Sequence, residues 1–310
     1  MAKSNGKPEI VIVAGPTGVG KTASCIELAN RCGGEIISAD SVAVYRYMDI
    51  GSAKPTPAER AAAPHHLIDL AYPDETYDAA RFSNEADRVI RDLHSRGKPA
   101  IIAGGTGLYI KALTHGLFTE TPNDPEVRDR LRAEAGVLGP VAMHEKLAAV
   151  DEKAAARIHP NDSFRVIRAL EVVETTGRPI SEQQEEHGFR EAPYDTLVFC
   201  LWREREELYE RINQRVEAMI GEGLVDEVAG LLDMGYSPEL KSMSSLGYRH
   251  MCEHLAGKAD LDTAVRAMAR DTRRFAKRQF TWFRKHPGVE WIHADQPEAL
   301  FEPAITHLRA

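Results

Sequence analysis

The chain has 310 residues, of which 43% are hydrophobic and 28% charged, and its formal net charge is −8 at pH 7. This length and apolar content suit one large domain, or one domain that carries a smaller insertion. The negative net charge argues against a protein that coats nucleic acid indiscriminately, because such binding needs many lysine and arginine contacts to phosphates. No apolar run approaches the roughly 18 residues of a membrane span, and the N-terminus lacks the apolar core of a signal peptide. We therefore expect a cytoplasmic protein that makes no membrane contact.

Short apolar runs alternate with stretches of helical spacing over residues 1–118 and 195–310. Runs typical of buried strands lie at 9–15, 35–40, 66–70, 99–105, 195–202 and 289–294. Helical spacing lies at 21–31, 77–96, 204–220, 224–234 and 260–285. Because strands that alternate with helices form right-handed parallel crossovers, this pattern predicts an α/β fold with a parallel sheet in a three-layer core.

Residues 119–194 interrupt the alternation. Pro122 and Pro125 open a segment of charged, alanine-rich helices without a strand-like run. The run DTLVFCLW at 195–202 then resembles a core strand again. The segment therefore predicts an all-helical insertion domain, after which the chain returns to the sheet.

The stretch AGPTGVGKTAS, residues 14–24, has the P-loop pattern between a predicted strand and a predicted helix. Glycines let backbone N–H groups converge on phosphate oxygens, Lys21 adds a full positive charge, and the Thr22 hydroxyl can coordinate Mg²⁺. The pattern predicts a di- or triphosphate site but does not identify what carries the phosphates. Its residues are Gly15, Pro16, Thr17, Gly18, Val19, Gly20, Lys21 and Thr22.

Two further residues follow predicted strands and should lie at the same edge of the sheet as the P-loop. Asp40 lies at the predicted C-terminal end of the second strand, where a carboxylate can bind metal, act as a base or cap the next helix. Thr106 lies in GGTGLYIKAL, residues 104–113, where the glycines fit either a tight turn or a substrate loop. The strand before Thr106 lacks the metal-binding aspartate of ordinary P-loop ATPases, which argues against a motor or a GTPase.

The segment RRFAKRQFTWFRK, residues 273–285, contains six basic residues, four aromatic residues and no acidic residue. On a helix this composition fits either a solvated face or a surface that binds RNA phosphates and stacks on bases.

Seven blocks resemble, in order, the tRNA dimethylallyltransferase family over nearly the whole chain. They are GPTGVGKT, ADSVAVYRYMDIGSAKP, HHLID, GGTGLYIKAL, ARIHPNDSFRVIRALEV, TGRPIS and KRQFTWFR. The resemblance implies that the P-loop holds the diphosphate of dimethylallyl diphosphate, not ATP. It also implies that the acceptor is N6 of the adenine at position 37, immediately 3′ of the anticodon in a tRNA anticodon stem-loop. A monomer and a Mg²⁺ cofactor are expected.

The resemblance also assigns roles to residues. Asp40 would be the general base, Thr106 would bind the oxygen that bridges C1 and the diphosphate, and Arg215, which we favour over Arg211, would contact the phosphates. Ala43 stands where some members have glutamine, and no C-terminal zinc-finger pattern is present, which favours the compact bacterial form. The residues implied to contact tRNA are Asp40, Ser41, Val42, Ala43, Thr106, Arg128, Phe164, Arg165, Arg168, Tyr248, Arg249, Lys277, Arg278, Gln279, Trp282 and Arg284.

Three alternatives share part of this pattern. A small-molecule P-loop kinase would turn over ATP, but the sequence lacks a convincing arginine-rich lid and has the basic aromatic helix. A prenyltransferase acting on free AMP, ADP or ATP would need neither the helical insertion nor that helix. A non-catalytic tRNA-binding protein would leave Asp40 and Thr106 without a role.

Overall fold

The computed structural model describes residues 6–116, 124–187 and 193–309. These residues form one sheet of six strands, and every pairing in it is parallel. The strands are β1 (Glu9–Ala14), β2 (Glu35–Ser38), β3 (His65–His66), β4 (Ala100–Gly104), β5 (Asp195–Trp202) and β6 (Val289–His293). Their spatial order is β3-β2-β4-β1-β5-β6, and the predicted α/β fold class is confirmed.

Helices connect and follow the strands. Before β5 they are α1 (Lys21–Cys32), α2 (Pro57–Ala62), α3 (Ala79–Ser95), α4 (Gly107–His115), α5 (Pro125–Val150), α6 (Glu152–Arg157), α7 (Ser163–Thr176) and α8 (Ile180–His187). After β5 they are α9 (Arg205–Gly221), α10 (Leu224–Asp233), α11 (Tyr248–Leu255), α12 (Leu261–Arg284) and α13 (Phe301–His307), the last preceded by a 3₁₀ turn at Pro297–Leu300. No helix in the described ranges combines the length and the apolar character needed to cross a bilayer.

The chain divides into two compact units, Met1–Thr114 with Ala192–Ala310, and His115–Glu191. The first contains the sheet. The described part of the second contains α5 to α8, and α5 is broken at Gly139, whose φ is +79°. A separate core holds its helices together, with Leu131, Met143, Leu147, Val166 and Leu170 buried in it. That this helical unit behaves as an independent insertion domain stays a prediction.

Strand β1 lies inside the sheet and is buried on both faces. Val11 and Val13 pack in one core cluster with Cys25 and Leu28 of α1. Ile10 and Ile12, also fully buried, point to the opposite face because side chains alternate along a strand. Burial on both faces explains why the run IVIVA after Glu9 is continuously apolar instead of alternating.

The register brings the ends of three strands together. Ala14 of β1 pairs with Gly104 of β4, and Ser38 of β2 pairs with Ala103 of β4. Because the strands are parallel, the segments that follow them leave the sheet at one edge. The P-loop, Asp40 and Thr106 therefore lie next to one another, as the sequence predicted.

The predicted strand at 66–70 is wrong beyond His66. Leu67 and Asp69 have φ values of +60° and +58°, which an extended strand does not allow. The Asp69 carboxylate accepts hydrogen bonds from Lys54 Nζ at 2.6 Å and from Arg60 at 2.8 Å. These two ion pairs hold the segment in a turn instead of a strand.

The short helices α2, α11 and α13 were not predicted from the sequence. A local signal for α2 was present, because Thr56 and Glu59 form a reciprocal capping box around Pro57. Helix α11 has no comparable signal, since it begins after Gly247 without a side-chain oxygen to cap it.

Gly104 gives a test of this packing. A Cβ added there would lie 2.2 Å from the Ala39 carbonyl oxygen, which belongs to backbone that has little room to move. We expect Gly104→Ala to lower the free energy of unfolding by about 1–3 kcal/mol, as overpacked sites do. Urea denaturation measures it. Gly230→Ala in α10, where a Cβ meets nothing within 4 Å, is the control and should be neutral or stabilising by up to about 1 kcal/mol. Equal stability of both variants would contradict the described contact.

Candidate active site

The P-loop curls around the N-terminus of α1. Gly15, Gly18 and Gly20 have φ values of +144°, +80° and +110°, which only glycine adopts without strain. Lys21, the first residue of α1, donates from Nζ to the carbonyls of Gly15 at 2.9 Å and Pro16 at 2.8 Å. The loop thus combines backbone N–H groups, a helix N-terminus and an ammonium group, which suits a phosphate ligand.

Lys21 shares this edge with a second cation. Burial, and next the positive charge of Arg215 on α9, lower the pKa of Lys21 to about 8, against the opposing effect of Asp40. Burial likewise lowers the pKa of Arg215, and the Asp40 carboxylate is the largest opposing influence. The Arg215 guanidinium makes no hydrogen bond or ion pair with any residue that the structure describes. An anionic ligand would offset the cost of holding both cations out of water.

Arg211, one helical turn before Arg215, has a different role. Its Nε donates to the Gly18 carbonyl at 3.0 Å, so it supports the backbone of the P-loop. The preference for Arg215 as the phosphate-contacting arginine stays a prediction, and its closeness to Lys21 and Asp40 supports it.

Asp40 closes a turn with one carboxylate oxygen. Oδ1 accepts from the N–H groups of Val42 at 2.8 Å and Ala43 at 3.1 Å. Among the described residues Oδ2 has no hydrogen-bond partner, so the second oxygen can accept a proton or a ligand. Ser41 is exposed, whereas Ala43 is only 3% exposed and packs inward, unlike the RNA contact predicted for it.

Thr106 lies between β4 and α4. Its N–H approaches the Ala39 carbonyl at 3.4 Å, and its own carbonyl accepts from Ile110 N–H at 3.2 Å. Within the described residues its hydroxyl has no partner. The hydroxyl is therefore free to bind a ligand beside the positive end of α4 and opposite the P-loop.

The P-loop offers a metal ion few protein ligands. Thr22, the second residue of α1, is half-buried, and its hydroxyl has no partner in the described part of the chain. In those same residues, the one group of three potential ligands is Glu207, His293 and Asp295, and Arg203 pairs with both of its carboxylates. One hydroxyl at a phosphate cradle fits Mg²⁺, which commonly takes most of its ligands from phosphates and water.

Helix α12 carries the basic segment as a surface face. Lys277, Arg278 and Arg284 are exposed. The Arg278 guanidinium lies 5.6 Å from the Phe275 ring centre, and that of Arg284 lies 4.7 Å from the Phe280 ring centre. Cations and aromatic rings are thus adjacent on this face, which is an arrangement that suits RNA, and the RNA contact itself stays a prediction.

Two residues of α12 that are predicted to contact RNA also contact other loops of the protein. Gln279 is 7% exposed, its Oε1 accepts from Thr17 N–H at 2.9 Å, and its Nε2 donates to the Gly105 carbonyl at 2.9 Å. Trp282 is half-buried, and a Cβ on Gly107 would lie 2.3 Å from its indole. These side chains contact the P-loop and the segment around Thr106, which was not predicted from the sequence, and their RNA contacts stay a prediction.

Tyr248, another residue predicted to contact tRNA, lies inside the protein, and its RNA contact stays a prediction. It is fully buried, and its hydroxyl donates to Glu227 Oε1 at 2.7 Å. Burial, and next the Glu227 carboxylate, raise the pKa of Tyr248. The same carboxylate accepts from the backbone N–H groups of Asp49, Ile50 and Gly51. Glu227 therefore ties the loop after Asp40 to α10 and α11.

Arg249, the next residue, is half-exposed and anchored to α12. Asp271 accepts from it at 2.5 Å and also pairs with His250, Arg270 and Arg274. The hydrogen bond from Arg270 is the largest of the effects that lower the pKa of Asp271 from 3.8 to about 2. One carboxylate on α12 thereby holds several basic side chains close together.

The helical unit carries the remaining predicted RNA contacts. Phe164 is 74% exposed, and Arg165 beside it pairs with Asp162 at 2.9 Å. Arg128 and Arg168 pair with the fully buried carboxylate of Glu171 at 2.8 and 3.0 Å. An exposed aromatic ring with anchored arginines nearby in sequence can stack on a base and contact phosphates.

Asp271 gives a pH-dependent prediction. Its pKa is lowered on folding, so its contribution to stability is full above pH 3.8 and is lost as the pH falls towards 2. We expect Asp271→Asn to lower the free energy of unfolding at pH 7 by roughly 1–2 kcal/mol, and the difference from the unmodified protein to shrink below about pH 4. Urea denaturation between pH 7 and pH 3 measures this. Asp74→Asn, at an exposed position without ion pairs among the described residues, is the control. A pH-independent difference would contradict the assignment.

Comparison with known proteins identifies the family. Residues 43–286 match the family model described as IPP transferase. The tRNA dimethylallyltransferase of Desulfatibacillum aliphaticivorans is 54% identical over 294 residues, which cover 95% of this chain and 96% of that protein. The chain thus matches such relatives over nearly their whole length.

Solved structures agree with the sequence matches. The tRNA isopentenylpyrophosphate transferase of Bacillus halodurans has a TM-score of 0.73 and 39% identity, with coverage of 98% of this chain and 97% of that one. A eukaryotic dimethylallyltransferase acting on tRNA has a TM-score of 0.79 and 29% identity, with coverage of 96% and 77%. The resemblance found in the sequence is confirmed, and the chain belongs to the IPP transferase family, together with relatives named tRNA dimethylallyltransferase.

Proposed function

We propose that the chain transfers a dimethylallyl group from dimethylallyl diphosphate to N6 of adenosine 37 of tRNA, immediately 3′ of the anticodon, and releases diphosphate. The observation that carries this proposal is the convergence of Lys21, Arg215 and Asp40 beside Thr106 at one edge of the sheet. Two cations suit a diphosphate, and a carboxylate oxygen without a partner among the described residues suits an amine that must lose a proton.

The P-loop binds the diphosphate in this proposal. Its backbone N–H groups and Lys21 contact the phosphate oxygens, and Arg215 approaches from α9. A Mg²⁺ ion held by Thr22 and the phosphates would neutralise charge on the leaving group. Concentrated positive charge at this point favours departure of the diphosphate, because the negative charge grows as the bond to C1 breaks.

Asp40 and Thr106 act on the two sides of the reacting carbon. The N6 lone pair forms a bond to C1, the bond from C1 to oxygen breaks, and the electron pair leaves with the diphosphate. Asp40 Oδ2 takes the N6 proton, while the turn hydrogen bonds to Oδ1 fix the carboxylate. The Thr106 hydroxyl donates to the bridging oxygen as its charge increases.

Basic surfaces support tRNA as the acceptor. The exposed residues Lys277, Arg278 and Arg284 supply local positive charge on a chain with a net charge of −8. Phe164 and Arg165 supply a second candidate contact within the helical unit. We propose that these surfaces bind the anticodon stem-loop and that the target adenine leaves its stack to reach Asp40. A monomeric, cytoplasmic enzyme is part of the same proposal.

The relatives support tRNA over the alternative acceptors. Curated proteins about half identical to this chain are named for tRNA, not for a free nucleotide. Neither a small-molecule kinase nor an adenylate prenyltransferase accounts for the exposed basic face of α12.

The function is tested by incubating the protein with unmodified tRNA, Mg²⁺ and dimethylallyl diphosphate and analysing the digested nucleosides by mass spectrometry. We expect dimethylallyladenosine in tRNA and in an isolated anticodon stem-loop, and none when guanosine replaces adenosine 37. AMP or ATP without tRNA is the paired control. A prenylated free nucleotide with unmodified tRNA would establish the alternative, and ATP turnover would favour a kinase.

Asp40→Asn tests the general base. The asparagine amide oxygen keeps the turn hydrogen bonds but cannot take the N6 proton. We expect the single-turnover transfer rate to fall by about 10² to 10⁴ fold, with the affinities for tRNA and donor changed far less. Asp92→Asn, at an exposed ion pair on α3, is the matched control.

Two outcomes of this experiment would remove Asp40 from the catalytic step. Recovery of the rate with added Mg²⁺ would make Asp40 a metal ligand. A loss of about 1 kcal/mol in stability with an intact transfer rate would make it only a cap.

A further inference from the structure

Gln279 bridges two loops that are far apart in sequence. Its side-chain amide accepts from the backbone of Thr17 in the P-loop and donates to the backbone of Gly105, each at 2.9 Å. The residue is buried, and both atoms of its amide are used within the protein. A buried amide that satisfies one donor and one acceptor fixes the distance between them, because either group left unpaired would be costly.

Helix α12 packs against both residues that flank Thr106 in the chain, Gly105 and Gly107. A Cβ on Gly105 would lie 2.2 Å from Gln279 Nε2 and 3.0 Å from the Gly15 carbonyl oxygen. A Cβ on Gly107 would lie 2.3 Å from the Trp282 ring. Gln279 and Trp282 are three residues apart, so they project from neighbouring positions on one face of α12. Both glycines that flank Thr106 are thus in the contact with α12.

We propose that Gln279 is a positioning residue that sets Thr106 at its working distance from the P-loop, with Trp282 holding the other side of Thr106. The inference rests on the proposed function, since it takes Thr106 to contact the bridging oxygen of a donor whose diphosphate lies in the P-loop. A shift of these two loops would separate the hydroxyl from that oxygen while leaving each binding surface in place.

Because Gln279 is buried, its positioning of Thr106 can be distinguished from a contact with RNA. Lys277 and Arg278, the two residues before it in sequence, are exposed, whereas Gln279 is buried. Their side chains can contact RNA while the Gln279 amide stays between Thr17 and Gly105. A change at Gln279 should therefore act on the transfer step and not on RNA affinity.

Two substitutions test the bridge. Gln279→Met has a similar shape but neither hydrogen bond, and we expect its single-turnover rate at saturating tRNA and donor to fall at least about tenfold. Its dissociation constants for tRNA and for inorganic pyrophosphate should stay within about threefold of those of the unmodified protein. Thermal unfolding verifies that each variant is folded at the assay temperature.

Gln279→Glu gives a readout that a simple loss of packing would not. As a carboxylate it keeps an acceptor for Thr17 N–H but faces the Gly105 carbonyl without a proton, whereas as a neutral acid it restores both hydrogen bonds. Burial favours the neutral form. We expect its rate to be at least about tenfold below that of the unmodified protein at pH 8. The ratio of the unmodified rate to the Gln279→Glu rate should fall towards one as the pH is lowered to 6. Lys21 on α1, Arg215 on α9 and Asp40 are the charged groups near these loops. They occur in both proteins, so their own titration affects both rates.

The controls distinguish the outcomes. Gln296→Met and Gln296→Glu, at an exposed position whose side chain has no hydrogen-bond partner among the described residues, should match the unmodified protein at every pH. A Gln279→Met rate within threefold of the unmodified rate, or a Gln279→Glu ratio that is constant with pH, would overturn the proposal. Weaker tRNA binding with an unchanged saturated rate would make Gln279 an RNA contact instead. Failure of the proposed function is separate, because then the unmodified protein itself would transfer nothing to tRNA.

Discussion

Electrostatic repulsion at the P-loop is the constraint on which the active site depends. Lys21 is partly buried beside Arg215, and burial together with that second positive charge brings its pKa down to about 8. The fold compensates with one carboxylate, Asp40, and with two backbone carbonyls that accept from the lysine. A ligand with several negative charges relieves the remaining cost, which is the property of a diphosphate donor and of its leaving group.

The sheet and α12 hold these groups in place from opposite directions. Parallel pairing of β1, β2 and β4 brings the P-loop, Asp40 and Thr106 to one edge. Helix α12 then closes on that edge through Gln279 and Trp282, while its exposed face carries Lys277 and Arg278. One long helix therefore contacts the P-loop and the segment around Thr106, and its exposed residues supply the surface that we propose binds RNA phosphates.

The loop after Asp40 is supported in a similar way. The Glu227 carboxylate on α10 binds three consecutive backbone N–H groups of residues 49–51 and the Tyr248 hydroxyl. Lys54, buried between Asp49 and Asp69, ties the same loop to the turn that follows the short strand β3. Ion pairs to one buried lysine and carboxylate–backbone contacts thus give these loops a defined shape without regular secondary structure.

The sequence alone determined the features that depend on neighbours along the chain. The P-loop, the fully buried β1, the amphipathic α12 and the ordered family blocks are local patterns, and they sufficed to predict the fold class, the family and the residues brought together at the sheet edge. Only the tertiary structure decided which polar residues of those blocks face inward. Gln279 and Tyr248 have the same polar character as surface residues, and their partners, Thr17 and Glu227, are distant in sequence. The turn at Leu67–Asp69 likewise depends on the ion pairs of Asp69 with Lys54 and Arg60. The sequence predicted a strand there because a local apolar run cannot reveal an ion pair that forms only after the chain has folded.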